Sequence, residues 1–264
     1  DNADLVAQTK TFAKKESLEA KFLVKPPGGL KRWLKLHTPG GTVRAAFRIY
    51  LIWAFSRRYQ PLQNNTDSHL VVVTLTHPRS FSEPNGYTDP YFGVLVDRLA
   101  ESTAKALVLA LMVERPFEQL KRFKTLKFGI PVIPIESCLA LKDLLACTLR
   151  ALKIAFHPLK PQGSLEIDGV DVGCLVKRAV REYCHSGDLF LHLRVFYGAS
   201  WLAHRIRVDR CLYPFENRSW EKLLLLGMDS ASPEIQLVGY QHSSLTKAHT
   251  NFMLGGQEAS ITPL

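Results

Sequence analysis

The segment VDRCLYPFENRSWEKLLLLGMDSASPEIQLVGYQHSS, residues 208–244, decides the predicted fold. Its pattern indicates a strand at residues 210–213, a polar turn, a helix over about 220–228, and a second strand at 236–240. Two short apolar strands separated by a helix are typical of a unit whose strands lie parallel in one sheet. Both strands would then end at the same edge of that sheet.

Polar residues follow each of these strands at that edge. Glu216 and Asn217 follow the first strand, and Gln241 and His242 follow the second. Open α/β sheets bind their ligands at the carboxyl ends of the strands, so we predict a site here. Glu216 would act as base or nucleophile with Asn217 as an orienting amide, and His242 as acid, base or phosphate contact beside Gln241. The structural alternatives are a helix cap at Asn217 or Ser219 and a hydrogen-bonded histidine near the sheet edge.

The same strand–helix alternation continues upstream. The run HLVVVTLTH, residues 69–77, predicts a strand buried on both faces. A helical stretch at 172–208 is expected to break at Ser186-Gly187-Asp188, with Gly187 as a helix cap. Further strands are predicted at 105–112 and 130–135, and helices at 94–103, 116–124 and 138–156. The fold class predicted for residues 65–242 is therefore a doubly wound, parallel, Rossmann-like α/β domain.

The loop after the strand at 69–77 adds more candidates. It contains YTDPYFG, residues 87–93, and the strand itself ends in His77. Tyr87 and Tyr91 can stack on sugar rings, and Asp89 can accept hydroxyl hydrogen bonds or take a proton. We therefore predict a catalytic role for Asp89 and substrate contacts for Tyr87, Tyr91 and His77. The structural alternative is that Asp89-Pro90 only begins a turn.

The formal net charge of +10 is concentrated at the start of the chain. Residues 1–60 hold 12 Lys and Arg against 4 Asp and Glu, and the other 204 residues hold 22 against 20. We predict a basic, partly helical arm at residues 1–64, with a turn at Pro39-Gly40-Gly41. Because a nucleic-acid-binding domain needs a basic face on its folded body, this distribution argues against nucleic acid as a partner.

The apolar part of the arm, residues 45–55, is interrupted by Arg48 and followed by Arg57 and Arg58. Eleven residues fall well short of the ~20 needed to span a bilayer. Aromatic residues among basic ones fit a helix that lies on an anionic membrane surface, which we predict for residues 30–59. A helix packed on the following domain is the open alternative.

The cysteines and the chain start indicate a reducing compartment. No Cys-x-x-Cys pair and no cleavable signal sequence is recognised, so buried free thiols and a cytoplasmic location are expected. The histidine spacing fits no metal motif, and no metal site is predicted. The five cysteines are Cys138, Cys147, Cys174, Cys184 and Cys211.

Three segments, YTDPYFG (87–93), YPFENRSWEK (213–222) and VGYQHSS (238–244), together resemble a family of glycosyltransferase-like proteins of bacterial capsule and O-antigen biosynthesis. The resemblance covers residues 69–264 and implies the GT-B architecture of two Rossmann-like domains. This chain would be its N-terminal, acceptor-side half, with residues 243–264 connecting toward a second Rossmann domain or partner chain.

The resemblance implies sugar transfer from a nucleotide-activated donor to a surface glycan or lipid-linked acceptor. The nucleotide sugar would be a substrate, and no further cofactor is expected. The protein would lie on the cytoplasmic, inner face of the membrane. The alternative is a non-catalytic, membrane-associated binding module in polysaccharide assembly.

Overall fold

The computed structural model describes residues 40–59, 65–81, 86–102, 105–125, 129–157, 166–167 and 170–241. Two short 3-10 turns, Pro78–Phe81 and Ile135–Cys138, follow strands. The helices are α1 (Gly40–Ser56), α2 (Leu95–Glu101), α3 (Pro116–Thr125), α4 (Leu141–Phe156), α5 (Gly173–Ser186), α6 (Asp188–Arg205) and α7 (Ser219–Asp229). The strands are β1 (Asn65–Thr76), β2 (Ala106–Met112), β3 (Val132–Pro134), β4 (Glu166–Ile167), β5 (Val170–Asp171), β6 (Ile206–Pro214) and β7 (Gln236–Tyr240).

Five strands form one sheet in the order β3-β2-β1-β6-β7, and every pair is parallel. The chain winds outward from β1 to β3, then returns to the other side of β1 and continues through β6 to β7. The winding direction therefore reverses between β1 and β6. The predicted parallel α/β fold is confirmed, and this strand order is compatible with a Rossmann-like arrangement.

The centre of the sheet is buried on both faces because its strands are continuously apolar. All seven residues of β2 are buried, and Val71, Val72 and Val73 of β1 have no exposed surface. One face packs against α6 and α7, through residues such as Val195 and Leu224. The other packs against the loop before α2 and against α2 itself. Helices thus cover both faces, as parallel sheets require.

Contacts divide the chain into two compact units, Asp1–Phe47 with Leu145–Leu191, and Arg48–Leu144 with His192–Leu264. The five-stranded sheet lies in the second unit. The predicted domain limits, 1–64, 65–242 and 243–264, stay a prediction. Residues 1–39, 60–64 and 242–264 lie outside the described residues, and with them His242 and most of the predicted basic arm.

Two local predictions were wrong. Residues 206–208 were expected to be helical, but β6 begins at Ile206, where buried Ile206 and Val208 alternate with exposed Arg207. That period of two identifies a strand. Residues 40 and 41 were expected to form a turn, but both belong to α1. A Cβ atom on Gly41 would lie 2.2 Å from the carbonyl oxygen of His185, so close backbone approach explains that glycine.

The predicted cap at Gly187 is confirmed. Gly187 ends α5 with a φ of 101°, in the left-handed region that favours glycine. A Cβ atom there would also lie 2.8 Å from the Cβ of Ala45. Conformation and space therefore both require glycine at this position.

A buried ion pair joins the carboxyl end of β3 to α6. The guanidinium of Arg194 donates to Glu136 Oε1, and the side chains are 9% and 1% exposed. Within the described residues, neither Glu136 Oε2 nor Arg194 Nε has a hydrogen-bond partner. Removing one member of such a pair leaves an uncompensated buried charge, which costs more than the pair contributes.

We predict that Arg194→Met lowers the free energy of unfolding by about 3–5 kcal/mol, because it leaves the Glu136 carboxylate buried and unpaired. The double variant Glu136→Met/Arg194→Met is expected to recover a large part of that loss. Urea unfolding of both singles and the double measures the coupling. The control is Arg98→Met, which breaks an exposed pair with Glu101 and should cost less than about 1 kcal/mol. Additive losses in the double variant would contradict the prediction.

Candidate functional site

The loop after β6 is held by one buried carboxylate. Glu221, 2% exposed in α7, accepts hydrogen bonds from the backbone N–H of Glu216 (3.2 Å) and of Arg218 (3.1 Å). Asn217 between them has a φ of 53°, a left-handed conformation that asparagine tolerates. No side-chain cap comes from the residue preceding α7. Glu221 therefore satisfies the backbone N–H groups of Glu216 and Arg218 at this helix start.

Burial raises the pKa of the Glu221 carboxyl to about 7. The backbone N–H groups of Arg218, Glu216 and Asn217 oppose this rise, and the nearby Glu216 charge adds to it. The same burial, with Glu221 close by, raises the pKa of the Tyr213 hydroxyl. The loop that carries Glu216 thus rests on a carboxyl group that titrates near neutral pH.

A second buried carboxylate organises the loop after β1. Asp89 is 2% exposed, and its Oδ1 accepts from the backbone N–H of Tyr91 and of Phe92, both at 2.9 Å, and from Thr74 Oγ1 at 3.2 Å. Its Oδ2 accepts from the Tyr87 hydroxyl at 2.8 Å. Four hydrogen bonds occupy this carboxylate, so its geometry favours a positioning role for Asp89 and Tyr87 over direct contact with substrate.

The two loops meet around Tyr91. The Tyr91 ring is half-buried, and burial raises the pKa of its hydroxyl, with the Glu216 charge as the next cause. Arg79 and Arg218 act on the same hydroxyl in the opposite direction. Arg218 Nε lies 3.5 Å from Glu216 Oε2. A carboxylate, a phenol and two guanidinium groups therefore gather where the winding direction of the sheet reverses.

The remaining predicted residues lie along this carboxyl edge. His77 directly follows β1, and burial and the Arg79 charge lower its pKa, while Glu114 raises it. Gln241 follows β7 and is exposed. The Tyr240 ring, at the end of β7, lies 5.4 Å from that of Phe92, centroid to centroid, which links the β7 end to the loop after β1.

Sequence reasoning missed two residues of this region. Arg79 and Arg218 were within the quoted motifs or next to them but were not singled out as charges at the strand ends. His192 Nδ1 also lies 3.2 Å from Ser219 Oγ, at the start of α7. A charged residue within four positions of a strand's carboxyl end was the available signal for both arginines.

Three further observations concern the cysteines, the possible metal ligands and the hydropathy of the helices. The described cysteines are free, and burial raises the pKa of the Cys138 and Cys211 thiols to about 12, so the predicted buried thiols are confirmed there. Among the described residues, no cluster of three or more His, Cys, Asp and Glu could hold a metal ion. No helix within the described ranges has the length and apolar character needed to cross a membrane.

A cavity of about 250 Å³ lies at the opposite, amino edge of the sheet. His69, Ser102, Lys105 and Ile130 are among its lining residues. Ligands of open parallel sheets bind at the carboxyl edge. That rule favours the carboxyl edge, but the cavity is large enough to be a second candidate location for a small-molecule site.

Comparison with known proteins gives no family. Neither a family model, nor a curated protein, nor a solved structure matches this chain. What the chain does must therefore be inferred from its own residues.

We predict that Glu221→Gln changes how stability depends on pH. The folded pKa of about 7 exceeds the ordinary value of 4.5, so this group's contribution is full below pH ~4.5 and lost as pH rises through 7. Glutamine does not titrate, and the variant should gain on the wild type between pH 5 and 8, by on the order of 3 kcal/mol. Chemical unfolding across that range measures the difference. Parallel pH profiles would contradict it.

We predict that Asp89→Ala lowers the free energy of unfolding by about 2–4 kcal/mol, because it removes the hydrogen-bond acceptor of two backbone N–H groups, one of them buried, and of two hydroxyls. Asp97→Ala, at an exposed carboxylate in α2, is the matched control and should cost less than about 1 kcal/mol. Urea unfolding measures both. Equal stabilities of the two variants would show that the Asp89 hydrogen bonds do not hold the loop.

Proposed function

We propose that this chain is a glycosyltransferase, or the acceptor-side half of one. It would transfer a sugar from a nucleotide-activated donor to a bacterial surface glycan or a lipid-linked acceptor. The observation that carries the proposal is the meeting of Glu216 and Tyr91 with Arg79 and Arg218 at the point where the winding of the parallel sheet reverses.

Each group at this point suits one part of the reaction. The Glu216 side chain is 25% exposed, so a substrate can reach it. As base, it would take the proton of the acceptor hydroxyl while that oxygen bonds to the anomeric carbon and the bond to the donor phosphate breaks. The electron pair leaves with the phosphate, whose charge Arg79 and Arg218 would stabilise. In a retaining reaction the same carboxylate would be the nucleophile.

The surrounding residues would bind and orient the substrates. Tyr91 offers an aromatic face to a sugar ring, and the Asp89 carboxylate holds its backbone in place. Asn217, Gln241 and His77 would contribute hydrogen bonds at the same edge, as would His242.

The proposal extends to a second domain or partner chain and to the location of the protein in the cell. In the GT-B arrangement, a second Rossmann domain or a partner chain would supply most donor contacts, and the strand order found here is compatible with the first domain of such a pair. Buried free thiols support a cytoplasmic location. A lipid-linked acceptor would place the protein peripherally on the inner face of the membrane.

The alternative is a non-catalytic binding module in polysaccharide assembly. The bonding of Asp89 favours it. The sequence predicts a catalytic role for Asp89, but four hydrogen bonds within the protein occupy its carboxylate, so Glu216 is the accessible carboxylate of the two. Calorimetric titration with nucleotide sugars and with lipid-linked acceptor discriminates, because a transferase or its half must bind at least one of them. Binding of neither would leave the module as the better account.

We predict that Glu216→Gln lowers kcat/KM for sugar transfer by about 10²–10⁴-fold, because the amide cannot take the acceptor proton. Nucleotide-sugar affinity and the free energy of unfolding should stay close to wild type. Glu234→Gln, at an exposed carboxylate before β7, is the control and should transfer at the wild-type rate. If transfer by Glu216→Gln matches this control, Glu216 is not the base.

A further inference from the structure

Helix α1 turns a row of large apolar side chains toward solvent. Every fourth residue belongs to it, and the exposed fractions are 56% for Val43, 68% for Phe47, 39% for Leu51 and 52% for Phe55. Repeats of four place side chains along one side of a helix. Exposed apolar rows of this size mark a surface that contacts something else.

The opposite side of α1 is already packed. Ala46, Ile49 and Ile52 are buried, and the Trp53 indole N–H donates to the carbonyl oxygen of Leu139 at 2.8 Å. Packing against the body, which the sequence left open, therefore holds for Ile49 and Ile52. Phe55 meets the ring of Phe117 edge-on at 5.7 Å between centroids but is still 52% exposed, and Leu51 is 39% exposed. Because its inner side is anchored, α1 cannot rotate to bury the outer row.

The charge beside this row has one sign. Residues 40–59 contain four arginines and no aspartate or glutamate. Arg44 and Arg48 are exposed on the same side of α1 as the row, and Arg58 is exposed in the turn that follows the helix. Within the described part of the chain none of the three forms an ion pair. Arg57 stacks over the Trp53 ring at 5.3 Å.

Helix α4 carries the same combination on its own outer side. Leu141, Leu145 and Leu149 are 50%, 49% and 67% exposed, with Lys142 and Lys153 also exposed. Apolar rows flanked by basic residues thus occur on two helices of this chain.

We propose that the outer side of α1, formed by Val43, Phe47, Leu51 and Phe55 with Arg44 and Arg48, binds the surface of an anionic lipid bilayer together with Arg58 in the turn that follows. The helix would lie in the plane of the interface, with the apolar row in the acyl boundary and the guanidinium groups at the lipid phosphates. Seventeen residues at ~1.5 Å each give a contact of about 26 Å.

Charge decides between a bilayer and the other possible occupants. A second copy of the same face would bring the arginines of one helix against those of the other, with no carboxylate of α1 to pair with them. An anionic leaflet offers phosphates along the full length of the helix. The inference does not depend on sugar transfer, since a binding module would use the same face.

The test compares full-length variants on phosphatidylcholine vesicles with and without phosphatidylglycerol. The apolar variant is Phe47→Ser/Phe55→Ser, and the charge variant is Arg44→Gln/Arg48→Gln/Arg58→Gln. Matched controls change exposed residues elsewhere, Val94→Ser/Val113→Ser and Arg98→Gln/Arg115→Gln/Arg207→Gln. Co-sedimentation gives the partition coefficient, and urea unfolding confirms that each variant folds as the wild type does.

Wild type is expected to bind the vesicles with phosphatidylglycerol, and less so as salt is raised. The charge variant should lose on the order of 100-fold in partition coefficient, at about fivefold per arginine. The apolar variant should lose at least about tenfold, and the controls less than about twofold. Wild-type binding by both α1 variants, or no vesicle binding by wild type, would overturn the proposal. So would a dimer in sedimentation that the α1 variants dissociate, which would assign the face to a second copy.

Discussion

Strand β1 pairs in parallel with β2 on one side and with β6 on the other, and this double pairing governs the rest of the structure. The chain leaves β1 toward β2 and leaves β6 toward β7, so it departs in opposite directions from two adjacent strands. In open α/β sheets, ligands bind at the carboxyl ends of such a pair. A strand in this position must be apolar on both faces, which Val71, Val72 and Val73 provide. The pairing of β1 on both sides therefore requires an apolar strand and also brings the polar loops after β1 and β6 to neighbouring positions at the carboxyl edge.

Two buried carboxylates keep those loops in position. The Asp89 carboxylate accepts hydrogen bonds from backbone N–H groups of the loop after β1, and the Glu221 carboxylate accepts them from backbone N–H groups of the loop after β6. Both carboxylates accept their hydrogen bonds from the protein itself. Of the carboxylates described in these two loops and at the start of α7, Glu216, in contact with Arg218, is the one left for chemistry. Asp89 and Glu221 therefore stabilise the loops, while the proposed chemistry rests on Glu216, and the sequence alone does not distinguish these roles.

The sequence allowed the parallel α/β class and the position of Glu216 to be predicted, because buried strands and the polar residues that end them are local patterns. The start of β6 was missed because Ile206 and Val208 continue an apolar series that also fits a helix. The hydrogen bonds from the loop backbone to Glu221 could not be predicted, because a capping box has serine or threonine where this chain has Arg218. The approach of Arg79 and His192 to the site could not be predicted, since it depends on how separate elements pack.

The central claim is that sugar transfer takes place at the carboxyl edge between β1 and β6. Photo-crosslinking with analogues of the nucleotide sugar and of the lipid-linked acceptor, followed by peptide mapping, tests it most directly. The account predicts that at least one of the two analogues labels peptides within residues 77–93 and 213–222, with labelling lost when the unmodified compound competes. Labelling confined to the cavity at the other edge, around His69, Lys105 and Ile130, would contradict it, as would labelling that no competitor reduces.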